Sequence, residues 1–126
     1  MDDKLLRKEE TFNIIGAAMA VHRYFRCGFA EKVYQDAMEV EFQLRGIPYK
    51  REVPIHATYC GVQLDSTFIP DFICYDDIVV ELKAVKELED YQRSQTINYG
   101  KVAEAKVALL INFGEPSLRY ERFVTE

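Results

Sequence analysis

The sequence predicts a mixed α/β fold with its elements in the order α-α-β-β-β-α-β-β, and three stretches carry that prediction. Residues 11–46 repeat apolar positions at helical spacing and are interrupted at Cys27-Gly28. Residues 49–85 are rich in β-branched and aromatic residues and are punctuated by turn residues. Residues 87–113 pass from a helical stripe into the nearly unbroken apolar run KVALLINF. At 126 residues the chain is expected to form one domain over 1–126, with the charged residues 1–10 frayed or forming a first helical turn.

Composition narrows the class. Apolar content of 48% and charged content of 29% are those of a soluble globular protein. No apolar run approaches the ~20 residues of a membrane-crossing helix. The start, MDDKLLRKEE, is acidic where a signal peptide is basic, so a cytoplasmic location is expected. Cys27, Cys60 and Cys74 show no CxxC spacing and are joined only by His22 and His56, which argues against a zinc site and for buried free thiols. A net charge of −5 is unlike that of a non-specific nucleic-acid binder, although acidic ligands of a metal count against the net charge while the bound cation supplies local positive potential.

The first helix runs from a Thr11 cap to about Phe25, with Ile15, Ala18, Met19 and His22 on one stripe and Ile14, Ala17 and Val21 beside it. A neutral histidine satisfied at the core or helix end is the leading reading of His22; a general base is the other. A second helix is expected from near Phe29 to a C-cap at Gly46, with Pro48 beyond it and Val33, Ala37, Val40 and Leu44 as its apolar face. Glu31 in its first turn suits the helix dipole without any further role. Tyr34 one turn later reads as packing with a hydrogen bond at its tip.

Tyr49 to Tyr59 forms the next strand, placed at an edge or bulged because Pro54 cannot donate to a ladder. Gly61 turns the chain into Val62 to Cys74, whose first part pairs back, giving a three-strand antiparallel meander that ends in Ile78 to Val85. A helix over Glu87 to Ala105 follows, with Leu88, Tyr91, Gln95, Asn98, Tyr99 and Val102 in its stripe. Amides there need partners, since an unsatisfied buried polar group costs about 1 to 3 kcal/mol. Gln95 therefore either serves a site or bridges helix to sheet with Tyr99. Lys106 to Phe113 reads as a central strand covered on both faces, and Leu118 to Val124 as the last strand.

The chemistry concentrates between Thr67 and Val85, TFIPDFICYDDIVVELKAV. A hairpin folded about Asp76 with the three-residue loop Tyr75-Asp76-Asp77 sets Asp71 across from Glu81. Alternation then puts Glu81 and Lys83 on the Asp71 face and leaves Phe72, Cys74, Ile78, Val80 and Leu82 for the core. Directly opposed residues have Cβ atoms about 4.5 to 5.5 Å apart, and like charges there are destabilising. A hard cation between the carboxylates resolves the conflict, and Mg²⁺ needs only one or two protein carboxylates beside water and phosphate oxygens. Without such a cation the same residues read as an exposed hairpin face bearing a Glu-Lys pair.

Pro70-Asp71, nine intervening residues and Glu81-Leu82-Lys83 resemble the PD-(D/E)xK motif of the restriction-endonuclease-like nuclease superfamily. Gly28-Phe29-Ala30-Glu31-Lys32-Val33-Tyr34 resembles the GxxExxY signature of a small prokaryotic family within it. Val79 to Lys83, Gln95-x-x-x-Asn98-Tyr99 and Leu109 to Gly114 are similar to that family in order and spacing. The resemblance implies a central mixed sheet flanked by helices and a metal-dependent nuclease hydrolysing phosphodiester bonds. Asp71 and Glu81 would hold Mg²⁺ or Mn²⁺, with Glu31 as a direct or water-mediated ligand and the Leu82 carbonyl completing the shell. Lys83 would orient or activate water, and Gln95 would stand beside the site. The implied partner is nucleic acid, DNA ahead of RNA, and cutting both strands of a duplex with one site per chain would call for a homodimer. The competing expectation is a nuclease-fold module that binds nucleic acid or protein with little or no turnover.

Overall fold

The computed structural model describes residues 6–126. The expectation of a frayed start falls partly on residues 1–5, outside the described residues, whereas Lys8 to Glu10 already form the first turn of helix α1, Lys8–Phe25. Thr11 lies inside that helix rather than capping it, and Arg7 holds the N-cap position in a left-handed conformation. Ile14, Ala17, Ala18 and Val21 are buried as expected, but Met19 is 43% exposed.

Helix α2, Glu31–Arg45, ends as the sequence requires: Gly46 takes φ 67° and its N–H caps the last turn. Its buried face differs from the expected one. Tyr34, Met38 and Phe42 are fully buried, whereas Val40 and Leu44 are 54% and 76% exposed. The two rows lie about one residue apart around the helix, and the larger one wins. Aromatic side chains bury about 150 to 250 Å² each, which at about 25 cal/mol per Å² outweighs a Val-Ala-Val-Leu row. Partner rings are in place for them: Tyr34 stacks on Phe113 at 4.7 Å, and Phe42 meets Phe72 edge-on at 5.0 Å.

The expected three-strand meander is five strands in two sheets. Tyr49 to Tyr59 divides around Pro54 into β1, Tyr49–Arg51, and β2, Ile55–Tyr59; Val62 to Cys74 divides around Pro70 into β3, Val62–Phe68, and β4, Phe72–Cys74. Each break coincides with a proline, which has no N–H for a ladder. β3 pairs back on β2 as a separate ribbon, while β1 joins β4. With β5, Ile78–Lys83, helix α3, Asp90–Val102, and strands β6, Val107–Asn112, and β7, Arg119–Val124, the main sheet has the order β1-β4-β5-β6-β7. β5 and β6 are parallel, joined across α3, and the other pairs are antiparallel. Every residue of β6 is buried, as its composition demands.

Helices α1 and α2 cover one face of the sheet, over Phe72, Cys74, Ile78, Val80, Leu82, Leu109 and Ile111. Tyr99 and Ala103, at the end of α3, pack on the other face against Val79 and Ala108. The α3 stripe also differs from expectation, because Gln92, Thr96 and Gly100 are buried and Tyr91 is 67% exposed. Gln92 accepts from the Glu89 N–H at 2.9 Å and Thr96 donates to the Gln92 carbonyl at 2.9 Å, so this polar row is satisfied locally. The shift leaves Gln95 and Tyr99 half-buried and Asn98 exposed.

One polar knot fixes the far end of β5. Asn112, fully buried, accepts from the Val85 N–H at 3.0 Å and the Gly114 N–H at 3.1 Å and donates to the Val85 carbonyl at 2.8 Å. The chain passes so close that a Cβ on Gly114 would lie 2.3 Å from the Val85 oxygen. Gly114→Ala is therefore expected to cost about 3 kcal/mol, against about 1 to 2 kcal/mol for Gly46→Ala, whose surroundings are open; denaturant unfolding of both variants measures the difference.

The thiols correct a second expectation. Cys74 is buried, but Cys27 follows Arg26, at φ 60°, between the helices and Cys60 sits with φ 51° in the β2–β3 turn, and both are exposed and free. Burial pushes the Cys74 thiol up to about 12. A thiol reagent at pH 8 is expected to label Cys27 and Cys60 in the native protein and Cys74 only after unfolding, with mass spectrometry of the labelled peptides as the readout.

Candidate functional site

The β4–β5 pairing decides what the site contains. Phe72 faces Val80, Ile73 faces Val79 and Cys74 faces Ile78, a register centred on Asp76. Tyr75 and Asp76 supply the left-handed residues of the loop, at φ 53° and 60°. Asp77 is anchored instead of strained: its carboxylate accepts from Arg7 at 2.6 Å and from the Lys106 N–H at 3.2 Å. The register carried one residue further puts Asp71, in the bend after Pro70, across from Glu81.

Asp71 is pinned there by the backbone. Its Oδ2 accepts the Leu82 N–H at 2.7 Å, so Leu82 is tied to this carboxylate through its N–H. Glu81 is 3% exposed, and its Oε1 has no hydrogen-bond partner. Burial, then the neighbouring Asp71 charge and a hydrogen bond to it, push the Glu81 carboxyl up to about 9. Burial also raises Asp71, against the lowering pull of the Leu82 N–H, Glu81 and Lys83. Both carboxyls are thus held above the usual carboxylate range, Glu81 the more strongly.

Lys83, two residues along β5, donates to Gln95 Oε1 at 3.2 Å, and Gln95 Nε2 donates to the Tyr99 hydroxyl at 3.4 Å. Gln95 therefore joins Lys83 to Tyr99, and Tyr99 in turn meets Phe68 of the ribbon edge-on at 5.7 Å. Glu31 reaches the group from the first turn of α2. Its carboxyl is raised chiefly by desolvation, lowered by Lys83 and raised by Asp71, which puts it within electrostatic range of both.

Two of the sequence candidates have other partners. His22 Nε2 lies 2.9 Å from the Glu115 carbonyl beneath Phe113, and the Tyr34 hydroxyl donates to the Arg26 carbonyl at 2.5 Å while accepting the Phe29 N–H at 3.2 Å. Sequence reasoning missed Glu52 and Gln35. Glu52 is coupled to Asp71 and held by Gln35, whose place one turn after Glu31 on the same helix face was the available signal.

The donor set fits a hard divalent cation. Among the described residues no three His, Cys, Asp or Glu side chains gather into a metal cage. Two opposed carboxylates with one orphaned buried oxygen suit Mg²⁺ or Mn²⁺, which keep several of their own waters, and do not suit zinc.

The family model described as the PD-(D/E)XK nuclease superfamily matches residues 8–123, and the chain belongs to that superfamily. Its five-strand mixed sheet flanked by helices is the restriction-endonuclease-like architecture expected of such a chain. No curated protein and no solved structure matches it. No helix among the described residues is long and apolar enough to cross a membrane.

A pH dependence of stability follows from Glu81. Unfolded, this carboxyl loses its proton near 4.5; folded and metal-free, it holds it to about 9. Its contribution is complete below pH 4.5, declines as pH rises through that window and is gone above about 9. Glu81→Gln is expected to flatten the decline and to make the metal-free protein more stable than wild type at pH 8, as read by denaturant midpoints at pH 5 and pH 8.

Proposed function

We propose that this chain is one nuclease-like domain that hydrolyses phosphodiester bonds of nucleic acid with the help of Mg²⁺ or Mn²⁺. The observation that carries this reading is the orphaned, buried Glu81 Oε1 beside Asp71, with Lys83 on the same strand, in a chain of a nuclease superfamily. Asp71 and Glu81 would hold the cation, with Glu31 as an outer or water-mediated ligand. When bound, such a cation polarises a phosphoryl oxygen and lowers the pKa of its water.

The chain's own residues do the remainder. Asp71 is oriented by the Leu82 N–H, which leaves its other oxygen for a ligand. The Lys83 ammonium, steadied by Gln95 and Tyr99, is available to hold the attacking water and to offset charge that builds on the phosphate. DNA stands ahead of RNA as substrate, a homodimer is the form that would cut both strands of a duplex, and the cytoplasm is the proposed location.

One observation favours a second reading, a nuclease-fold module that binds without turnover. Arg7, Arg45, Arg51 and Arg93 are each engaged by carboxylates of the same chain, which removes them from contact with phosphates. Incubation with plasmid, single-stranded DNA and RNA in Mg²⁺, Mn²⁺ or EDTA separates the two readings. Cleavage is expected only with metal, and Glu81→Gln and Lys83→Ala are each expected to lower it by about a hundredfold or more while the fold persists. A wild-type protein that cuts none of the three substrates in either metal would hand the case to the binding module.

A further inference from the structure

Glu52 occupies a position that local sequence preference does not favour. It sits at φ 54°, where a glutamate is held only by its surroundings, in the break between β1 and β2. Those surroundings come from three directions. The side chain of Gln35, itself 7% exposed, donates its Nε2 to Glu52 Oε1 at 3.0 Å. The Glu52 N–H donates to the Asp71 carbonyl at 3.1 Å. The preceding residue, Arg51, is clamped to α2 by Asp36 at 2.7 Å and Glu39 at 3.0 Å. A buried amide and two ion pairs thus fix a residue whose N–H bonds the Asp71 carbonyl.

The energetics of that arrangement are unfavourable for the metal-free protein. Glu52 is exposed and free to turn toward solvent, yet Gln35 holds its carboxylate while its N–H bonds the Asp71 carbonyl, so a negative charge is retained close to the Asp71–Glu81 pair. A like charge retained next to a carboxylate pair, whose partner Glu81 carries an oxygen without a hydrogen bond, is useful when a cation arrives. Neighbours that orient ligands and add field commonly tune metal affinity by about 10- to 100-fold.

We propose that Glu52, tethered by Gln35, is a positioning residue that fixes the backbone at Asp71 and strengthens the hold of the Asp71–Glu81 pair on a divalent cation. This rests on the metal-site reading above. It extends that reading from the hairpin to the β1–β2 connection and to the second turn of α2.

Calorimetric titration with Mn²⁺ alone, on the full chain without nucleic acid, tests it. Glu52→Gln retains an oxygen for Gln35 and removes only the charge. It is expected to weaken Mn²⁺ binding about tenfold while leaving the metal-free melting temperature unchanged or raised. Glu9→Gln, the same change of net charge on the first turn of α1, is expected to bind as wild type does. Wild-type affinity in Glu52→Gln would overturn the role of Glu52 and leave the metal site standing. Equal weakening in Glu9→Gln would reduce the effect to net charge and overturn it as well. A wild-type chain that takes up no Mn²⁺ would overturn the metal-site reading itself, and the inference with it.

Discussion

Two carboxylates held face to face across a β-pair are the constraint around which this molecule is arranged. Left alone, Asp71 and Glu81 would repel each other, and burial together with that repulsion holds the Glu81 carboxyl well above the usual carboxylate range. Neither group is free to leave. The Leu82 N–H pins Asp71 from one side, and Glu81 belongs to a strand whose alternate residues are buried in the core.

The surrounding layers follow from this. β5 sends Ile78, Val80 and Leu82 into the α1–α2 core and turns Val79, Glu81 and Lys83 to the other side, so one six-residue strand serves stability and chemistry at once. α3 delivers Gln95 and Tyr99 to Lys83, and α2 delivers Glu31 and Gln35 to the opposite rim. Sidedness of this kind gathers the polar side chains beside β5, the middle strand of the sheet.

Much of this could be read from the chain because it depends on alternation. The loop of three residues sets the β4–β5 register, and that register alone predicts that Asp71 and Glu81 meet and that Phe72 and Val80 do not share their face. The buried faces of α2 and α3 were harder. In α2 two apolar rows lie about 100° apart, and only the positions of Phe113 and Phe72 decide that Tyr34 and Phe42 turn inward. In α3 the inward row, Gln92, Thr96 and Gly100, is polar and small, so no hydrophobic period marks it. Glu52 was invisible for a related reason: its importance comes from a backbone bond to Asp71 across the sheet, which side-chain identity does not encode.

The knot at Asn112 makes the two rims of the site unequal. On the Lys83 side, Val85 and Gly114 are bound to a fully buried asparagine, and Phe113 N–H bonds the Lys83 carbonyl at 2.8 Å, so that rim opens only when the central sheet opens. On the other side, Glu31 and Glu52 rest on the first turn of a helix and on a bend between short strands, held by side-chain contacts to α2 and not by the central sheet. The Val85 and Gly114 N–H groups, though outside any strand, are expected to exchange with solvent as slowly as those of the central sheet. The candidate site thus has one wall built into the central sheet and one held by side chains of α2.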